Sequence, residues 1–487
     1  MKKIHILSII IVLSSIIFTQ DDGAGTSVSG NLGSVTIDGK MYNQIALRPE
    51  IPIGKIGLGL DIYLYIDADG NIYKENWDFS SAEASYRTLL DKIYYLRYGQ
   101  PNDNMYFRFG ALPSATLGQG ILVNNYSNII EYPEVRRLGF DFKAHVSGIG
   151  IEFIQSDFKR VPGVMGMRIS YNLLGNVDVG FSYISDLDQY KGMKDRDNDN
   201  YPDIFDDYPD DANFHDQVDY ERNIYEEMYI EIHGTADGFE NWFETTNTLP
   251  RNPSFDGFDS DPVSGMSVDL TYKINNKISL YSQIAKLIDD NGANVTDDKY
   301  FGMGIVPLGI SAQYGPMKFR AEYRKTGDNF IFNYWDQAYD FDRIKYDVAN
   351  EALITKESTL SQFKAMTGFY AEITANVYSF LSLNIGYQDM QGDNIDEDAN
   401  KTLLGSVKIN TSKIPKLKKA ELFYQQSNIS ELFTDDAKLN TIHGYDLGFE
   451  ISDGMMLVYK GRTSYIMNVD GEYETVNSVQ FETQIIF

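Results

Sequence analysis

Between Asp195 and Asp206 the chain reads Asp-Arg-Asp-Asn-Asp-Asn-Tyr-Pro-Asp-Ile-Phe-Asp, with carboxylates at positions 1, 3, 5, 9 and 12 of a twelve-residue stretch. Asp195, Asp197, Asp199, Asp203 and Asp206 stand at those positions, and the carbonyl of Tyr201 at position 7 adds another oxygen. This is the spacing by which a loop wraps Ca²⁺, a cation that accepts six to eight hard oxygen ligands in flexible geometry, where Mg²⁺ demands a tighter octahedron. Without a cation the crowded carboxylates repel one another and the loop loosens. Other chemistry is poorly provided for. There is no Cys, so disulfides, thiolate catalysis and zinc–sulfur sites are excluded. The five His residues, His5, His145, His215, His233 and His443, form no Ser-His-acid or His-x-x-x-His grouping, and an enzyme is not expected. With 42 basic against 70 acidic side chains and a net charge of −28, the chain lacks the basic clusters through which nucleic acid is bound.

The acidic motif sits in a long polar stretch, 184–265, and what holds that stretch is a set of strands. In Ile56–Ile66 the even positions are Ile56, Leu58, Leu60, Ile62, Leu64 and Ile66, while the odd ones include Asp61, Tyr63 and Tyr65. The same period of two recurs around Phe107, Phe140, Met167, Val179, Val268, Phe319, Leu383 and Leu447. Such segments match the ~9–11 residues that a tilted strand needs to cross a bilayer. Short turns at Ser147-Gly148, Leu174-Gly175-Asn176, Asn275-Asn276, Tyr314-Gly315-Pro316, Tyr378-Ser379 and Ser452-Asp453-Gly454 alternate with longer polar loops. Lys2 and Lys3 followed by the apolar run Ile6–Ile17 read as a secretory signal over 1–20, too short for a permanent span.

The last strand, Val479-x-Phe481-x-Thr483-x-Ile485-x-Phe487, alternates up to a terminal aromatic residue. With the signal and the strands, it resembles bacterial outer-membrane β-barrel proteins of porin type. The resemblance implies outer-membrane lipid as surroundings and Phe487 as the signal that the barrel-assembly machinery reads. The expected fold is all-β: a closed antiparallel transmembrane β-barrel of about 16–18 strands with long extracellular loops and one short amphipathic helix. Residues 21–183 and 266–487 form its two parts and 184–265 the extracellular insert. Continued through Asp207-Tyr208-Pro209-Asp210-Asp211, the acidic motif resembles a thrombospondin type 3 repeat. That resemblance makes Asp195, Asp197, Asp199 and Asp206 direct Ca²⁺ ligands, with Asp203 binding or supporting the same or a neighbouring ion. Asn200 replaces the usual turn glycine and Tyr208 the usual cysteine.

Two segments can narrow the bore. Ser80-Ser81-Ala82-Glu83 is a capping box before Tyr86, Leu89, Leu90, Ile93 and Leu96, which predicts a helix over 81–98, on the short-turn side or tucked into the barrel mouth. The segment 113–137, with Ile121, Leu122, Val123, Ile129 and Ile130, is too apolar for a solvated loop and is expected to fold inward, much as the constriction loop of general porins does. Strand parity aims Arg108, Arg168, Lys318, Arg320, Arg324, Asp141 and Asp269 at the lumen. These charges either set a transverse field or pair across neighbouring strands. The expected function is passive diffusion of small polar solutes or ions; the alternative is a surface binding, adhesion or structural barrel without transport.

Overall fold

The structure, a computed structural model, describes residues 27–486 except 38–39, 74–76, 78, 102, 131–135, 160–162, 194, 196–200, 209–213, 216, 247–259, 290–301, 348–351, 378–380, 393–398, 411–415, 453–454 and 468–472. The hairpin of β1 (Ser27–Ile37) and β2 (Lys40–Ile53) leads into β3 (Ile56–Leu60) and β4 (Ile62–Ile66). Both of the latter pair with β2, so they are one strand interrupted at Asp61. A helix, Ala82–Leu90, precedes β5 (Ile93–Tyr98), β6 (Met105–Gly110), β7 (Gly139–Val146), β8 (Ile149–Gln155), β9 (Val164–Asn172) and β10 (Val177–Asp186). Helices Gln217–His233 and Phe239–Thr246 lie in the long insert, followed by β11 (Val263–Lys273), β12 (Ile278–Asp289), β13 (Met303–Tyr314) and β14 (Met317–Thr326). A separate small hairpin, β15 (Ile344–Asp347) and β16 (Ala352–Thr355), stands in the next loop. The chain finishes with β17 (Met366–Val377), β18 (Leu381–Gln391), β19 (Ala399–Asn410), β20 (Leu417–Ile429), β21 (Thr441–Ser452), β22 (Met455–Met467) and β23 (Tyr473–Ile486).

Apart from the small hairpin, all described strands join one antiparallel sheet of 21 strand segments, or 20 strands with β3 and β4 taken as one. Neighbours in the sheet are neighbours in sequence, and β23 pairs with β1 from Gly33↔Glu482 to Ser29↔Ile486. The expected 16–18 strands are therefore too few. The β1–β2 hairpin carries a weak alternation, and β5, only six residues long, follows the helix closely. The helix is also shorter than the 81–98 expected: it stops at Leu90, and Ile93–Tyr98 pairs with β3 and β6 instead. Ile93-Tyr94-Tyr95-Leu96-Arg97-Tyr98 is rich in aromatic and branched residues, which fit a pleated surface better than a helix. Missing that strand inverted the parity, so the helix lies at the long-loop end and not with the short turns. The two helices of the insert were not foreseen either, although Tyr225, Met228, Tyr229 and Ile232 follow helical spacing.

One face of the sheet is apolar and exposed, the other polar and covered. On β9, Met167 and Ile169 are 45% and 48% exposed, whereas Arg168 and Ser170 between and beside them are 7% and 8% exposed. The same division runs through β10 and β11, where Phe181, Val268 and Leu270 are exposed and Ser182, Ser267, Asp269 and Thr271 are buried. Large apolar side chains left on adjacent strands are disfavoured in water by about 25 cal/mol per Å² and favoured in hydrocarbon. Among the described residues, no helix is long and apolar enough to cross a membrane.

Candidate functional site: an occupied interior

On the polar face, charges meet in fixed pairs. The Arg168 guanidinium grips Asp269 through two parallel hydrogen bonds, Nε to Oδ2 at 2.9 Å and Nη2 to Oδ1 at 2.8 Å, while Nη1 reaches Glu152 Oε1 at 2.5 Å. The β9–β8 register sets Arg168 directly opposite Glu152. Arg324 Nη2 lies 2.6 Å from Glu322 Oε2, and Arg320 Nη2 lies 2.5 Å from Glu372 Oε2. Tyr281 Oη donates to Glu322 Oε1 at 2.7 Å. The lumen-side residues named from parity thus fall into two groups. Arg168, Asp269, Arg320 and Arg324 come together in these networks. Arg108 donates to the Ala111 carbonyl and lies over the Tyr95 ring; Asp141, opposite it in the register, is buried. Lys318 is exposed close to the Gly315-Pro316 turn.

The apolar loop folds inward over this wall. Ala115 and Tyr126 exchange backbone hydrogen bonds of 2.8 Å, which makes a narrow hairpin. Its tip reaches the strands at many points: Lys143 Nζ donates to Thr116 O (3.1 Å), Gly118 N to Glu152 Oε2 (3.3 Å), and Gln119 Nε2 to Thr271 Oγ1 (3.0 Å). Arg320 Nη1 donates to Gln119 O at 2.8 Å, and Asn125 Nδ2 to Glu372 Oε1 at 3.2 Å. The loop therefore runs from the β7–β9 wall to β17. Gly118, with φ +57°, permits the approach, since a Cβ there would stand 2.7 Å from Arg168 Nε. Arg136 lies 3.2 Å from Asp61, and Arg137 lies 3.7 Å from Asp340.

A second loop, 327–365, locks onto the first; the sequence reading missed it, although its run Phe330-Ile331-Phe332-Asn333-Tyr334-Trp335 is as apolar as the first loop. Asn333 N donates to Ile121 O (3.0 Å), Trp335 N to Leu122 O (3.1 Å) and Asn124 N to Trp335 O (3.1 Å). Ile121, Leu122, Val123 and Tyr126 bury against Phe330, Tyr334, Trp335 and Tyr339 in one apolar cluster inside the sheet. Tyr339 Oη and Arg343 Nη1 both donate to Asp186 Oδ2, at 2.8 and 2.9 Å, so the plug is tied to the end of β10. Beside it a small groove, open to solvent, runs between these loops and strands β17–β20. Asp336 edges this groove and accepts from Gln425 Nε2 at 2.8 Å. Burial pushes its carboxyl up to about 6, although Lys356, 3.6 Å away, pulls it down.

Of the calcium motif, Asp195, Tyr201, Asp203 and Asp206 are described, while Asp197 and Asp199 lie outside the described residues, as do the 1–20 signal and Phe487. Asp206 is buried and its Oδ1 accepts from Tyr208 N at 2.7 Å. Phe205 next to it packs against Tyr346, their ring centroids 5.0 Å apart. Among the described residues, no three Asp, Glu or His side chains converge to hold a metal ion.

No family model and no curated protein sequence matches the chain. Among solved structures it is similar to the Pseudomonas aeruginosa protein OccK11 (OpdR), at 9% identity and a TM-score of 0.30, over 95% of this chain and 96% of that one. It is similar to the outer-membrane channel DcaP of Acinetobacter baumannii, at 11% identity and a TM-score of 0.25, over 96% and 99%. A third is Wzi of Escherichia coli, an outer-membrane, carbohydrate-binding β-barrel involved in group 1 capsule assembly, at 10% identity and a TM-score of 0.28, over 99% and 87%.

Proposed function

We propose that the protein is a closed outer-membrane β-barrel channel that passes small polar solutes by diffusion past two loops folded into its bore. The observation that carries this reading is the inverted sheet: apolar side chains outward, paired charges and hydroxyls inward. Pairing of β1 with β23 supports closure, because it removes the two free edges that an open sheet would present. In planar bilayers the purified protein is expected to give small unitary current steps, and on gels the unboiled form should run ahead of the boiled one. Equal mobility would count against a sealed barrel, and a sealed barrel that passes no current would leave only the non-transport reading. That second reading is favoured by one observation, the packed apolar cluster in the interior.

Asp336 gives the channel a pH dependence. Its folded value of about 6 lies above the ordinary 3.8, so the native state holds the proton more tightly than the unfolded chain. The resulting stabilisation is complete below 3.8 and is lost as pH rises through about 6. Over the same window the groove gains a negative charge, shared with Lys356 and Asp342. Cation preference in reversal-potential measurements should rise between pH 5 and 7.5, and Asp336→Asn should flatten the change. A rise of equal size in the variant would assign the titration elsewhere.

The 195–206 loop is proposed to bind Ca²⁺ through Asp195, Asp197, Asp199 and Asp206, with the Tyr201 carbonyl and support from Asp203. Calcium should protect the insert from proteolysis with a dissociation constant of ~0.1–1 mM, the range of extracellular modules. Asp206→Asn should weaken that protection about tenfold or more, since a carboxylate ligand loses its charge. Cleavage that proceeds alike in calcium and in chelator would remove the ion from the account. Outer-membrane lipid and the barrel-assembly machinery, reading Phe487, complete the proposed surroundings.

A further inference from the structure

We infer that the groove beside the plug is a site for uncharged polyhydroxylated solutes, of the class of mono- and short oligosaccharides; this rests on the channel reading and names its solute. The chain carries 112 charged residues out of 487, yet seven of the thirteen residues lining the groove are Asn or Gln, one is an acid, and none is Lys or Arg. Chance placement on so charged a chain does not give that lining. The cations of the adjoining wall are already engaged, Arg320 by Glu372 and Arg324 by Glu322, so an anionic solute finds no free counter-charge there.

The amides are also oriented. Arg324 can only donate, and its Nη1 donates to Gln388 Oε1, which turns Gln388 Nε2 onward to Asn400 Oδ1 at 3.1 Å. Asn400 Nδ2 then donates to Asn428 Oδ1 at 3.2 Å, leaving the Asn428 amino group as the terminal donor at the groove. From the other side, the Asp336 carboxylate and Ser427 take the two hydrogens of Gln425 Nε2, at 2.8 and 3.0 Å, which leaves Gln425 Oε1 as an acceptor. Asn333 Oδ1 is a second acceptor, buried and without a hydrogen-bond partner among the described residues. Fixed donors and acceptors within one groove match the hydroxyl group, which both gives and takes a hydrogen bond, and a neutral ligand spares the cost of stripping water from an ion.

The test pairs two measurements on the full-length protein: calorimetric binding of maltose in detergent, and liposome swelling in glucose and in gluconate. Maltose binding with faster swelling in glucose than in gluconate is the expected result. Asn428 has φ +54°, which Asp tolerates, so Asn428→Asp keeps the backbone and removes the donor. That variant should weaken maltose binding about threefold to tenfold, the worth of one hydrogen bond. Binding without swelling would uphold the groove and remove the channel. Swelling at equal rates in both solutes without maltose binding would overturn the groove proposal and keep the channel. Neither binding nor swelling would remove both, and binding unchanged in Asn428→Asp would place the sugar elsewhere and overturn the proposal.

Discussion

Arg168→Met is expected to destabilise the folded protein by about 3–5 kcal/mol, the usual cost of leaving buried charges without their partner. Asp269 and Glu152 face each other across this guanidinium, and both lie below a tenth of full exposure. Remove the cation, and two carboxylates share a site that keeps, among the described residues, only the Gly118 amide, donating to Glu152 at 3.3 Å. Denaturant unfolding in detergent reads the loss. The triple variant Arg168→Met, Glu152→Gln, Asp269→Asn should recover most of it, because no charge then remains unpaired. A single variant as stable as the parent protein would mean that water reaches this face freely.

Trp335→Ala is expected to act on the plug and not on the wall. The indole is 0% exposed and packs against Tyr334 and Tyr339 at ring-centroid distances of 4.7 and 6.1 Å. Its Nε1 has no hydrogen-bond partner among the described residues, so its contribution is packing. Truncating a buried aromatic of this size costs about 3–5 kcal/mol. The cost falls where the two inner loops meet, since Val123 and Trp335 form the bridge between them. Unitary conductance should rise severalfold and protease should cut within 113–130 or 327–365, while the unboiled gel mobility stays as it was. An unchanged current would show that these loops do not limit the path.

Much of the wall is legible because a strand writes its two faces into alternate residues, and a one-residue slip would turn all of them over. Met167, Ile169, Phe181 and Val268 could be assigned outward, and Arg168 and Asp269 inward, from parity alone. Where strands are short the signal fails: Ile93–Tyr98 followed a capped helix closely enough to be read as its continuation. The inward fold of Ile121-Leu122-Val123 could be read from its apolarity, but its partner could not. Trp335 lies more than two hundred positions away, and no local pattern encodes a contact across that distance.

The sequence by itself determined the all-β class, much of the alternation of short turns and long loops, and which residues of the longer strands share the apolar face, because each of these follows from local periodicity and turn chemistry. Only the tertiary structure decided that Arg168, Arg320 and Arg324 are held by acids, that a second loop joins the first over the polar face, and that an amide-lined groove remains beside them. Those features arise from side chains that distant strands bring together, and the hydrogen bonds that fix them exist only once the sheet has formed.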